Sequence, residues 1–206
     1  MSTAAINNSE ILKPFLKYLR KFSAVSEAEF QRISKYIHVR VYKIEEVVTE
    51  IGRVENYFHF ILKGLVRKYY KKGKNEFNVQ ISHEGHIIHA QESFHSRTPS
   101  TFCVKTIEPT VLASIHFNDL ETIYSQSPKM EHIGRLILTY TMILKDKWKG
   151  ELIELSQKER FLKFVERHPE LLRRVQQKHL ASYLNIKPET FSRYKHLLQT
   201  RKQKSN

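Results

Sequence analysis

Cysteine is all but missing from this chain: Cys103 is the one thiol among 206 residues. A lone thiol excludes an internal disulfide, a cysteine-built zinc site and a cysteine-ligated iron–sulfur cluster. It reads as a small apolar residue in a strand. Glycine and proline are scarce, six of each, against 40% apolar residues, which excludes a disordered or linker-rich chain and is enough for a packed core. No apolar run approaches the roughly 18 residues that span a bilayer. Met1 to Glu10 lacks the charged-then-apolar order of a signal peptide, so a cytoplasmic location is expected. Also lacking are a glycine-rich phosphate loop, an H-E-x-x-H helix and a G-x-S-x-G elbow. No catalytic residue, metal set or cofactor is therefore expected. His83, His86, His89 and His95 read as polar loop residues, because three-residue steps alternate faces along a strand.

Acidic residues are in deficit too, 21 against 35 Lys and Arg, for a net charge of +14. Such an excess calls for a polyanionic partner but does not choose between nucleic acid and a membrane surface. Its distribution is informative. From Gln157 to Asn206 there are thirteen Lys or Arg against four Glu, which places +9 of the +14 in the last quarter.

Helical spacing is present in Ile11, Leu12, Phe15, Leu16 and Leu19. Ser26 and Glu29 form a capping-box pattern ahead of Phe30 and Ile33. The middle is rich in aromatic and β-branched residues. Tyr57 to Tyr70 is broken at Gly64, Lys71 to Asn75 reads as a turn, and Phe77 to Ile81 alternates like a half-buried strand. Cys103 to Ile107 and Val111 to Phe117 add short strands, which together predict an antiparallel barrel or roll. After Asn118 the period becomes helical, with Pro128 interrupting or restarting the helix. Met130, Ile133, Ile137, Tyr140 and Leu144 follow the alternating steps of a coiled-coil seam, and pairing with a second copy is expected. Ser156 and Glu159 form another capping box, followed by Phe161, Leu162, Phe164 and Val165 as an apolar face. Trp148 reads as a hinge-packing residue, and Thr200 to Asn206 as a frayed polar tail.

The sharpest signal runs from Val175 to Leu198. Leu180, Ala181 and Leu184 give a first helix one buried face, with a small residue where a second helix approaches. Asn185 tolerates the left-handed conformation that ends a helix, and Ile186 plugs the turn. Pro188 suits the first position of the next helix. Phe191, Tyr194 and Leu198 then face inward, leaving Glu189, Thr190, Ser192, Arg193 and His196 near the outward face. This is a helix-turn-helix, whose second helix enters the major groove of DNA. Arg193 suits guanine O6 and N7, and Glu189 a cytosine amino group. Gln177, Lys178, Thr190 and Lys195 are candidates for phosphate, with Ser192 beside them on the outward face.

Glu189-Thr190-Phe191-Ser192-Arg193 matches the E-x-x-S-R recognition element of the Crp/Fnr superfamily. Phe60 to Arg67 resembles its β-roll hairpin, and Glu84 to Ile88 followed by Glu92-Ser93-Phe94 resembles the start of its effector cassette. The chain therefore resembles that superfamily over nearly its whole length, in the form met in Bacteroidetes-type bacteria. The resemblance implies an α+β fold in three parts. Residues 1–118 would hold N-terminal helices and a cyclic-nucleotide-binding-like antiparallel β-roll, 119–148 a long dimerisation helix and hinge, and 149–206 a winged-helix-like helix-turn-helix. It also implies a homodimer on double-stranded DNA, with RNA polymerase as a candidate further partner and no membrane.

Departures from the pattern concern the ligand and the wing. His89-Ala90 stand where cyclic-AMP binders have Gly-Glu, and Ser100-Thr101 stand near their Arg-Ser. Gln91 lies beside the first pair, and Arg97 would need a three-residue shift to replace the missing arginine. Lys145-Asp146 fall where the family places Thr-Ser at the adenine. A buried phosphate needs a cation or a nest of N–H donors, so cyclic AMP in the usual mode is not expected; a different effector, or none, stays open. Few residues follow Leu198, so the wing is expected to be short or absent, with Arg201, Lys202 and Lys204 as substitutes or as a solvated tail. The rival readings are an effector-sensing module that acts through a protein partner, its helix-turn-helix vestigial, and an enzyme, which no residue supports.

Overall fold

Alternating sequence between Ile37 and His116 folds as strands, and the 3.6-residue period before and after it as helices. The structure, a computed structural model, describes the backbone of residues 8–204 and the side chains of residues 10–198. Helices α1 (Asn8–Ile11), α2 (Lys13–Leu19) and α3 (Glu27–Ser34) come first. Strands β1 (Ile37–Tyr42), β2 (Val47–Thr49), β3 (Tyr57–Lys63), β4 (Val66–Lys72) and β5 (Asn75–Ser82) follow. Helix α4 (Gln91–Ser96) separates them from β6 (Cys103–Thr106) and β7 (Thr110–His116). Then come α5 (Phe117–Gln126), α6 (Pro128–Glu154), α7 (Gln157–Arg167), α8 (Leu171–Arg174), α9 (Gln177–Tyr183) and α10 (Pro188–Lys204). Among the described residues, no helix is long and apolar enough to cross a membrane.

The chain divides into two compact units. One holds the residues up to Tyr70 together with Gln80–Tyr140, the other Lys71–Val79 together with the residues from Thr141 onward. The division falls inside α6, and the tip of the β4–β5 hairpin goes with the second unit.

The strands form two sheets, ordered β1-β7-β3 and β2-β6-β4-β5, in which β7 pairs antiparallel with β1 and β3, and β6 with β2 and β4. Phe60 opposite Ala113 and His59 opposite Ser114 set the register of β3 on β7. One apolar cluster joins the helices to the β1-β7-β3 sheet, through Leu12, Phe15, Phe30, Phe60, Ile123 and Ile133. The rings of Phe15 and Phe60 lie 4.9 Å apart. A second cluster, Ile61, Val66, Ile88, Val104 and Leu112, draws on strands of both sheets. Cys103 is buried and carries a free thiol. Gly64 turns β3 into β4 at φ +102°, and a Cβ there would sit 2.5 Å from the Thr110 hydroxyl oxygen. Only glycine combines that backbone with that approach.

The second unit is helical apart from its hairpin. The Ser156 N–H donates to the Glu159 carboxylate at 2.9 Å, and the Glu159 N–H returns to Ser156 Oγ at 3.3 Å, so α7 begins with the expected capping box. Ser26 and Glu29 do the same for α3. Glu151, near the end of α6, accepts from Lys163 at 2.9 Å and Arg167 at 2.8 Å on α7. Burial raises the pKa of Glu151, but these two cations outweigh it and the net shift is downward. Phe161, buried on α7, meets Phe191 of α10 edge to face at 5.1 Å.

Two expectations need correction. Met130, Ile133 and Ile137 are buried in the first unit's own core and are not an open seam; only Tyr140 and Leu144 of that stripe are exposed, with Ile143 beside them. The stripe is continuous in sequence, but its first half covers the helices and sheet of its own protomer. Leu162, expected on the apolar face of α7, is exposed. Helix α10 runs to Lys204, and no strand follows it among the described residues.

Candidate nucleic-acid interface

Helices α9 and α10 are joined by a tight turn in which Leu184, Asn185, Ile186 and Pro188 each have a mechanical role. The Leu184 N–H closes on the Leu180 carbonyl at 2.9 Å, ending α9. Asn185 takes φ +53°, the left-handed conformation that an Asn side chain tolerates better than most. The Ile186 N–H then reaches back to the Ala181 carbonyl at 2.9 Å, which satisfies one of the open carbonyls at the helix end. The Ile186 side chain is buried under the turn, and Pro188 opens α10. Leu180, Ala181, Leu184 and Phe191 are buried where the two helices meet.

Arg160 holds this turn from beneath and has no counterpart in the sequence reading. Only 7% of the residue is exposed. Its guanidinium donates to the carbonyls of Leu184 at 3.0 Å, Asn185 at 3.3 Å and Leu152 at 3.2 Å, and also to that of Leu155. A buried arginine is ordinarily held by a carboxylate. Here the acceptors are carbonyls at the ends of α6 and α9, the negative poles of two helix dipoles. The one sequence signal was a charged residue on the inward face of α7, next to Phe161.

Burying Phe191 fixes the rotation of α10. Glu189, Ser192, Arg193 and His196 are exposed, while Thr190 and Lys195 are half-buried. Gln177 and Lys178 are exposed in the first turn of α9. These residues lie on two helices joined through one turn. Glu151 takes up the charges of Lys163 and Arg167 on α7. Lys178, Lys187, Arg193 and Lys195 make no ion pair among the described residues, so their charge is available to an external anion.

The predicted effector positions lie in the first unit. His89 and Ala90 are buried, and Gln91 begins α4. The His89 ring is 5.3 Å from those of Phe58 and Phe94. The Ser100 hydroxyl is turned onto its own loop, donating to the Phe102 carbonyl at 2.8 Å, and Thr101 is exposed. The segment before β3 ties the two pairs together: Glu55 accepts from the Ala90 N–H at 3.4 Å, and the Gly52 N–H donates to the Ser100 carbonyl at 2.8 Å. Arg97 is engaged by groups of its own unit. Its guanidinium binds the Glu55 and Phe94 carbonyls and Asn56 Oδ1, and lies 4.2 Å from the centre of the Phe117 ring.

Sequence reasoning missed a polar interior here. All of Val66-Arg67-Lys68-Tyr69 is buried, so both faces of the first half of β4 are covered and cations lie on each. Lys68 donates to the His89 carbonyl at 3.3 Å, and the Arg67 guanidinium lies 4.1 Å from the Tyr69 ring centre. His59 is fully enclosed; its Nδ1 pairs with Ser114 Oγ at 2.8 Å and its Nε2 lies 3.8 Å from Glu55. Burial, with Arg40 adding to it, lowers the His59 pKa to about 3, whereas burial raises that of Glu55. The fold therefore prefers a neutral His59. Between pH 6.5 and about 3 the unfolded chain binds the extra proton, so the His59 contribution is lost as pH falls. Glu55 acts in the opposite sense, so the comparison that isolates His59 is wild type against His59→Gln. In urea titrations between pH 7 and pH 5, wild type should lose stability more steeply, by up to about 1 kcal/mol per pH unit. Parallel pH profiles would show that His59 is not held neutral.

No family model and no curated protein matches the chain in sequence. Solved structures do match in fold. CLP, the c-di-GMP responsive global regulator of Xanthomonas campestris, aligns over 85% of this chain and 93% of its own at 16% identity, with a TM-score of 0.68. FixK2 of Bradyrhizobium japonicum aligns over 80% and 85% at 15% identity, TM-score 0.70. The catabolite activator protein of Thermus thermophilus aligns over 89% and 87% at 20% identity, TM-score 0.55. The fold of this chain is therefore the α+β fold of the Crp/Fnr regulator structures.

Proposed function

We propose that this chain is a sequence-specific transcription regulator of the Crp/Fnr type that binds double-stranded DNA as a homodimer. One observation carries the reading. Phe191 is locked inside, which turns Glu189, Ser192 and Arg193 outward at the start of a helix supported from below by Arg160. The start of such a helix is the part that meets base edges. The similar structures agree in kind: CLP is described as linking signalling to virulence gene expression, and another as a catabolite activator.

In this reading Arg193 presents its fork to guanine and Glu189 accepts from a cytosine amino group. Gln177, Lys178, Thr190, Ser192 and Lys195 set register on the phosphates. Tyr140, Ile143 and Leu144, exposed on α6, are the surface on which two copies pair. His89, Ala90, Gln91, Ser100 and Thr101 include no arginine of the kind that cyclic-AMP binders carry there, so control by cyclic AMP in the usual mode is not part of the proposal.

The test is selection of bound duplexes from a random pool, followed by titration of two variants. Arg193→Ala should weaken the selected site by about 1–3 kcal/mol and relax one base per half-site. Lys195→Ala should weaken all sequences alike. If both bind like wild type, this face of α10 is not the reading surface. If the wild type shows no salt-dependent affinity for any duplex, the vestigial alternative, with a protein partner, takes its place.

A further inference from the structure

The tip of the β4–β5 hairpin belongs to the same compact unit as α9 and α10. It is fastened there by polar contacts of defined register. Ser182 on α9 bridges two backbone groups of β5, accepting from the Asn78 N–H at 2.9 Å and donating to the Glu76 carbonyl at 3.2 Å. Asn78, itself buried, reaches the His179 carbonyl through its amide nitrogen at 3.4 Å. Buried polar groups cost free energy unless bonded, so one placement satisfies this set and a slipped strand does not.

Beyond the anchor the hairpin turns through Gly73, at φ +62°, and displays Lys71, Lys72 and Lys74. All three are exposed, and none makes an ion pair among the described residues. The anchor also has a direction. Ser182 is four residues after Lys178, so the two share one face of α9, and Lys178 is exposed at the other end of it. A hairpin seated on Ser182 thus continues the helix face that carries Lys178. Meanwhile α10 runs on as helix to Lys204, with no strand after it among the described residues.

We infer that this hairpin tip is a second DNA-contacting element, in which Lys71, Lys72 and Lys74 bind backbone phosphates beside the site reached by α10. The inference rests on the DNA-binding reading above and adds to it a contact surface contributed by a strand pair. Lysines at the end of β4 and in the turn after it are point charges without a rigid fork, so they neutralise phosphates and carry no base preference.

The test is a salt titration of affinity, by fluorescence anisotropy, on the full chain with a selected duplex and a scrambled one. The hairpin variant carries Lys71→Gln, Lys72→Gln and Lys74→Gln. A control variant carries Lys17→Gln, Lys21→Gln and Lys35→Gln, which removes equal charge from exposed positions in the first unit. The slope of log affinity against log salt should fall by about two to three per protomer in the hairpin variant, at roughly 0.9 per lost phosphate contact. The control slope should stay near wild type, and the preference for the selected duplex should be unchanged in both. A hairpin slope equal to the control slope, or tighter binding by the hairpin variant, overturns the inference while leaving the role of α10 intact. A wild type without salt-dependent binding removes both.

Discussion

Arg160→Met should lower the stability of the second unit by about 3–5 kcal/mol and abolish DNA binding with it. The size follows from the number of groups left behind. Four carbonyls, of Leu152, Leu155, Leu184 and Asn185, share one guanidinium. Each hydrogen bond from a charged donor contributes roughly 1.5–3 kcal/mol, and the contributions of neighbours do not simply add. Methionine has similar length and no donor, so the loss is one of hydrogen bonding more than of volume. Arg160→Lys keeps the charge and should fall between the two, because an ammonium cannot span acceptors on two helices. Trp148, the single tryptophan, stacks on Tyr183 at 4.5 Å in this unit, so denaturant unfolding followed by its fluorescence reads the effect directly. An unchanged midpoint in Arg160→Met would show that the turn holds itself.

A second large effect is expected at the exposed end of the α6 stripe. Tyr140, Ile143 and Leu144 are 46%, 47% and 43% exposed, a high figure for apolar side chains on consecutive turns of one helix. If they pair two copies, the double substitution Ile143→Glu and Leu144→Glu places four carboxylates in one dimer interface, where like charges cannot be desolvated together. Light scattering at micromolar concentration should then report a dimer for wild type and a monomer for the variant. Affinity for a two-fold site should drop by about 10²–10⁴, because the second recognition helix no longer binds at high effective concentration. A monomeric wild type, or a variant that remains dimeric, would dispose of this surface.

The two regions differ in how much their residues announced. The turn between α9 and α10 was legible apart from Arg160 beneath it: Asn185 and Pro188 act through backbone conformation, and Ala181 and Ile186 through side-chain size, all within a few residues of one another. Capping boxes at Ser26 and Ser156 were legible for the same reason. Strands β1 and β2 were not, since β1 mixes His38 and Arg40 into an edge strand whose burial comes from β7, far away in sequence. The α6 stripe was read with the right period and the wrong partner for its first half. Periodicity identifies a buried face but not what buries it. Arg160, Lys68 and Asn78 look like surface residues in sequence, and only long-range packing turns them into internal ties. The exposed Arg193 follows from Phe191 being inside, an inference within one helical turn.

Cys103 and Trp148 have a practical consequence. Each is unique in the chain, and one lies in each compact unit. A buried thiol becomes accessible to a disulfide reagent when the surrounding strands open, while indole emission follows the helices. The molecule thus carries two native reporters, one chemical and one optical, that need no engineered label. Comparing their midpoints distinguishes a single cooperative transition from two separate ones.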